Sequence, residues 1–172
     1  MRGKLFIQKI MEVNEEKFKE TRKKAKEFYG SLSKIYCPYL GEDVNFNSEG
    51  FEHILFKSWN RGRSEIEQYT RLRLLPKAVE VIEKSHTLQE YNEENMFVRQ
   101  KINSRWERRR KLVKYYVFIA LFPDKGIRFK VICKQIEGGK PFFWSVYPSW
   151  RKKKNILRQE KKIFYTGNLE KD

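Results

Sequence analysis

The chain has 172 residues, 40% hydrophobic and 15% aromatic, which is enough for one sizeable core and argues against disorder and against two full domains. Its 38 Lys and Arg against 22 Asp and Glu leave a formal net charge of +16, costly through self-repulsion unless a polyanion is a working partner. Nucleic acid is the leading partner, although charge alone fixes a ligand class and no reaction.

The two cysteines, Cys37 and Cys133, make neither a disulfide framework nor a metal set, which fits a reducing compartment. The opening MRGKLFIQKIMEV is interrupted by Gln8, Lys9 and Glu12 and leads to no small-residue cleavage site, so it makes a poor signal peptide. No run approaches the roughly 20 apolar residues that cross a membrane. The expectation is a cytoplasmic protein with no membrane partner.

Asn14 followed by Glu15 and Glu16 is a cap with acids in the first turn, and Gly30 is a stop, predicting a helix over about 15–29. Its apolar stripe of Phe18, Ala25, Phe28 and Tyr29 is thin, and the lysine-rich remainder suits water and phosphate alike. Residues 31–40 read as a loop, followed by a short strand at Val44–Asn47. Ser48 then caps a helix reaching about Lys57, with Phe51, Ile54 and Leu55 on one side and His53 beside them. The basic link Arg61-Gly62-Arg63 leads into a helix from about Ser64 to Lys84. Ile66, Tyr69, Leu72, Leu74, Leu75, Val79 and Ile82 face its core, Pro76 marks a kink or break, and Arg71 and Arg73 ride its polar side. Thr87–Tyr91 is a weak strand signal. The charged stretch 92–111 reads as a mobile arm or a hairpin at a sheet edge.

From Lys114 to Trp150 three runs of β-branched and aromatic residues, KYYVFIALF, IRFKVICKQI and PFFWSVYPSW, are separated by PDKG and EGGK, predicting an antiparallel meander. If Ile136 pairs with Pro141 across EGGK, Ile132 falls opposite Ser145 and Lys130 opposite Tyr147, and paired residues share a face. One face then holds Ile127, Phe129, Val131 and Cys133 with Phe142, Trp144 and Val146, and is a core. The other holds Arg128, Lys130, Lys134, Ser145 and Tyr147, with Phe143 and Tyr147 as stacking candidates. Such a face is either solvated or holds something anionic.

The short strand running into Gly50-Phe51-Glu52-His53, the helix bearing Arg63 and Arg71, and the closing strands VICKQI and FFWSVYP resemble the barnase, EndoU, colicin and RelE ribonuclease superfamily, particularly its phage-associated branch. The resemblance spans about two thirds of the chain. It implies an α+β fold: an antiparallel sheet, here the three-stranded C-terminal meander plus one or two short strands, with N-terminal helices packed on one face. The organisation is then a basic helical extension over 1–36, a ribonuclease-like α+β domain over 37–150 with a basic insertion at 92–111, and a basic tail over 151–172.

The activity implied is toxin-like RNA cleavage without metal or other cofactor, by attack of the ribose 2′-hydroxyl on its own phosphodiester. That chemistry needs a base, an acid and cations for the transition state. His53 is the acid or base implied, Lys134 stabilises phosphate charge, Ser145 orients the phosphate and Tyr147 completes the pocket. Lys57, Arg61, Arg63, Arg71, Arg128 and Lys130 are the RNA-binding candidates. RNA, free or on the ribosome, and an acidic antitoxin or immunity protein are the partners implied. The family's EndoU-like members use a second histidine, and His86 here has no clear motif. Each residue also has a plainer reading: a lone His beside an apolar stripe is often structural, and Lys134 is an ordinary lysine if the sheet face is simply wet. A non-catalytic RNA- or ribosome-binding protein using the same face is therefore the competing expectation.

Overall fold

The computed structural model describes residues 14–122, 127–149 and 169–170; the opening segment, the PDKG link and most of the basic tail lie outside them. Helix α1 (Glu15–Ser31) begins where local chemistry directs, with the Lys17 N–H donating to Asn14 Oδ1 at 2.8 Å. Its thin stripe is sufficient, because Phe18, Ala25 and Tyr29 are all buried. The expected loop over 31–40 instead contains β1 (Lys34–Cys37), antiparallel to β2 (Glu42–Asn45), with Gly41 at φ +68° between them. Helix α2 (Ser48–Leu55) is capped by Asn47 and not by Ser48: the Gly50 N–H donates to Asn47 Oδ1 at 3.1 Å. It stops at Leu55 because the chain opens into β3 (Phe56–Ser58), which pairs with β4 (Arg61–Gly62) as a separate ribbon.

Helix α3 (Glu65–Lys84) starts on a capping box between Ser64 and Glu67 and continues through Pro76 without a break. Two expectations on it are corrected. Ile66 is 51% exposed, and Arg71 is only 7% exposed. Arg71 shares the i, i+4, i+7, i+11 row with the fully buried Leu75, Ala78 and Ile82, so it enters the protein at the head of the helix's apolar stripe.

Four further strands follow, β5 (Glu90–Ile102), β6 (Arg105–Phe122), β7 (Ile127–Ile136) and β8 (Phe142–Pro148). The sheet order is β1-β2-β8-β7-β6-β5, and every pairing is antiparallel except β2 with β8. Among the described residues the class is thus α+β with three helices ahead of the long strands, as expected, but the sheet is six-stranded and mixed. The meander β6-β7-β8 is its centre. The stretch 92–111 enlarges it, forming most of a long β5–β6 hairpin closed by Asn103 (φ 46°) and Ser104 (φ 66°), the paired left-handed residues of a two-residue turn.

The β7–β8 register matches the parity argument over half its length. Ile132 pairs with Ser145 and Lys130 with Tyr147, but Cys133 pairs with Phe143 and Lys134 with Phe142. Trp144 is therefore the extra residue of a β-bulge, and the EGGK turn does not join Ile136 to Pro141 in the expected register. The bulge overturns the expected β8 faces. Phe143 turns to the helix side, where it packs with Phe118, Phe129, Val131, Cys133 and Val146 beneath the buried residues of all three helices. Phe142 and Trp144 join Val113, Tyr115, Val117 and Ile132 on the opposite side, in a second cluster that includes Leu169 and no residue of the described helices.

Candidate functional site

Strand β2 meets β8 at one position, Asn45 with Phe142, so no described strand pairs with the outer edge of β8 beyond it. Helices α2 and α3 pack there instead. Gly50 permits the approach: a Cβ on it would stand 2.1 Å from the Phe143 carbonyl oxygen and 2.7 Å from Tyr29 Oη. Tyr29 Oη donates to the Asn47 carbonyl at 2.8 Å and fixes the start of α2. Side chains from α2 and α3 thereby reach residues on the far face of the sheet.

Trp144, displaced by the bulge, is the centre of what they reach. The His53 ring stacks on it with centroids 4.1 Å apart and planes at 16°. Lys134 Nζ lies 3.9 Å from the same ring centroid. Both groups therefore sit about equally far from the centre of one indole. Trp144 Nε1 donates to the Leu169 carbonyl at 3.2 Å.

Arg63, at the entry to α3, donates from Nε to the His53 carbonyl at 3.0 Å and lies with Nη2 3.1 Å from His53 Nε2. A guanidinium has no acceptor, so His53 Nε2 accepts and the ring proton belongs on Nδ1. About two helical turns further along the chain, Arg71 Nη1 donates to Ser145 Oγ at 2.6 Å, and its guanidinium carbon lies 5.2 Å from the Tyr147 ring centroid. Glu67 ties the two arginines into one network: burial alone would raise its carboxyl, but the Ser64 backbone N–H and the charges of Lys57, Arg71 and Arg63 hold it below its usual value. Lys57 stands 3.6 Å from Glu67.

The cationic face predicted for the sheet is neither simply wet nor empty of anions. Lys134, 5% exposed, donates to both oxygens of Glu170 at 2.8 and 2.6 Å. Lys130, 8% exposed, donates to both oxygens of Glu90 at 2.7 Å. Tyr115 also donates to Glu170, and burial followed by the Glu170 charge pushes its phenol pKa far up. The chain's own carboxylates occupy the positions where an external anion was expected.

A cleft of about 620 Å³ opens beside this cluster, lined by Glu49, Glu52, His53, Lys57 and Trp144, with the 93% exposed Trp59 at its rim. Of the predicted residues, His53 and Lys134 gather on Trp144 with Arg63 bonded to His53, Arg71, Ser145 and Tyr147 form the adjoining group, and Lys57 lines the cleft. Arg61 is exposed on β4, Arg128 half-buried on β7 and Lys130 paired with Glu90, and these three stand outside the group around Trp144. Phe143, read as a stacking platform, is fully buried on the helix side. Residues that sequence reasoning missed are Trp144 as the centre, Glu67 and Glu170 as counter-charges, and Glu49 and Glu52 as cleft carboxylates. Only Glu67 carried a signal, its spacing from Ser64. Among the described residues no three His, Cys, Asp or Glu side chains cluster closely enough to hold a metal ion, and no described helix is long and apolar enough to cross a membrane. No family model, curated protein or solved structure matches the chain.

Proposed function

We propose that this protein is a metal-independent, toxin-like endoribonuclease that cleaves RNA by attack of a 2′-hydroxyl on the adjacent phosphodiester. The observation that supports this reading is the convergence of His53 and Lys134 on Trp144, with Arg63 bonded to His53 and a cleft alongside. An RNA phosphate entering the cleft competes for both cations. Arg63 exchanges a neutral ring nitrogen for a charged oxygen, the stronger, charge-assisted partner. Its departure frees His53 Nε2, which takes up a proton in place of the guanidinium contact and delivers it to the leaving 5′-oxygen. Lys134 exchanges the Glu170 carboxylate for the phosphate and stabilises its developing charge. Arg71 with Ser145 and Tyr147 orients the phosphate from the α3 side, and Glu49 and Glu52, which line the cleft together with Glu170, are carboxylates available as the base for the 2′-hydroxyl. Arg61, Arg128 and Lys130 contribute to the field that attracts the strand. Two buried free cysteines support a reducing, cytoplasmic setting. RNA, free or on the ribosome, is the fitting target, and an acidic antitoxin or immunity protein a fitting partner for the cationic surface.

A second reading, a non-catalytic RNA binder, is favoured by one observation: His53 Nε2 and Lys134 each already have an internal partner. Incubation with total RNA, with and without ribosomes and in excess chelator, separates the two. Cleavage that falls by about 10²-fold or more in His53→Ala, and falls also in Lys134→Ala and Ser145→Ala, supports the nuclease. Cleavage unchanged by all three removes this site, and no cleavage by the wild type in any arm leaves the binder.

A further inference from the structure

The β5–β6 hairpin projects past the sheet. Strand β7 pairs with β6 only as far as Val113, so Arg105–Leu112 with its β5 partners overhangs by about 27 Å, eight residues at the strand rise. Cross-strand pairs share a side. The pairs Lys101 with Trp106, Arg99 with Arg108 and Phe97 with Arg110 place four cations and two aromatics on one side of this ribbon. All six are exposed, Phe97 at 69% and Trp106 at 61%. That side carries no carboxylate until Glu93, whereas Glu107 points to the other side and is paired there with Arg109 at 2.9 Å. The Arg99 guanidinium carbon lies 4.8 Å from the Trp106 ring centroid, holding the indole beside a cation.

We infer that this side of the ribbon is a second nucleic-acid contact, specific for single strands. Two exposed rings among four uncompensated cations are costly in water but match a chain whose phosphates and unstacked bases alternate. The three cross-strand rows are about 7 Å apart, the order of the phosphate spacing in an extended strand. In a duplex the bases are already stacked on one another and offer Phe97 and Trp106 no open face. By parity the rows share a side with Tyr116 and Phe118, opposite Tyr115 and Val117 of the Lys134 cluster. The ribbon contact is thus separate from the candidate site and does not rest on cleavage.

The test uses the full chain and short labelled oligonucleotides lacking a 2′-hydroxyl, 2′-O-methyl-oligouridine and oligothymidine, with a self-complementary duplex as competitor. Fluorescence anisotropy is followed across a salt series. Phe97→Ala with Trp106→Ala should weaken single-strand binding at least tenfold, since each stacked base contributes about that factor. Arg99→Gln, Arg108→Gln and Arg110→Gln together should flatten the log–log salt slope by about 2, from roughly 0.7 per lost phosphate contact. The equal-charge control on the other side, Arg105→Gln, Arg109→Gln and Lys111→Gln, should change it by well under half as much. Far-UV circular dichroism checks that these exposed substitutions leave the fold intact. Binding within twofold of wild type in the aromatic variant, equal losses in the two triple variants, or a duplex that competes as well as the single strand would each overturn the inference.

Discussion

Replacing Gly50 by Ala tests how α2 is seated and hence how His53 is placed. The new methyl would lie 2.1 Å from the Phe143 carbonyl oxygen and 2.7 Å from Tyr29 Oη. A carbonyl in a paired strand has no rotamer to retreat into, so α2 and β8 must part by more than an ångström. Forced overpacking of this kind costs about 1–3 kcal/mol, and a backbone obstacle puts it near the upper end. Helix propensity returns at most about 1 kcal/mol, leaving a net loss of about 2 kcal/mol. That corresponds to a melting temperature lower by about 4–8 °C for a chain of this size. Gly30→Ala is the control, because no atom lies within 4 Å of the methyl it would introduce; it should be neutral or stabilising. Urea titration followed by near-UV circular dichroism reads both the midpoint and the packing of the Trp144 ring on His53. A Gly50→Ala midpoint equal to or above wild type would refute the close approach of α2 to β8 and the route by which His53 reaches Trp144.

Glu170→Ala leaves the nearly buried Lys134 ammonium without its carboxylate, and should destabilise by about 2 kcal/mol, discounted from the 3–5 of a fully buried pair because Glu170 is partly exposed. Lys134→Met on that background should recover part of the loss, and an additive double mutant in denaturant titration would show no coupling. Glu67→Gln tests the capping box under acid. The folded carboxyl of Glu67 is held below its ordinary value, so its stabilisation is full above about pH 4.5 and is lost as pH falls below the unfolded value near 4.3. The stability gap between wild type and Glu67→Gln should therefore narrow from pH 6 to pH 3, and a gap that widens on acidification reverses the assignment. Cys37 and Cys133 are both buried, and burial raises both thiol pKa values, Cys133 well above the ordinary range. Neither should react with a chromogenic disulfide in the native chain and both should react in urea; rapid native reaction of Cys133 would contradict the buried β7 face.

The parts of the fold legible in the sequence are those fixed by neighbours. Asn14 and Ser64 announce α1 and α3 because a cap is satisfied within three residues. The meander announces itself through three β-rich runs. Strand β1 does not, since Lys34–Cys37 has four residues and the one strand it pairs with among the described residues is β2. The bulge at Trp144 is hidden for a different reason. Phe142, Phe143, Trp144, Ser145 and Val146 are all buried, so the strand offers no alternation of polar and apolar residues from which to detect a slipped register. Parity then carries Lys130, Lys134, Ser145 and Tyr147 to the correct side while sending Phe142 and Trp144 to the wrong one.

The candidate site is half legible for an electrostatic reason. Cations on a rigid strand can be found by parity, but the carboxylates that make their burial tolerable need no sequence proximity: Glu90 is forty residues from Lys130, and Glu170 thirty-six from Lys134. An unpaired ammonium at 5% exposure would cost several kcal/mol. A fold that stations lysines there must therefore bring its own anions before any substrate arrives. Under the proposed function, phosphate binding at Lys134 is an exchange with Glu170, and its affinity is the difference between two pairings. On this view Glu170→Gln and Lys134→Ala, although both break the same ion pair, move phosphate affinity in opposite directions.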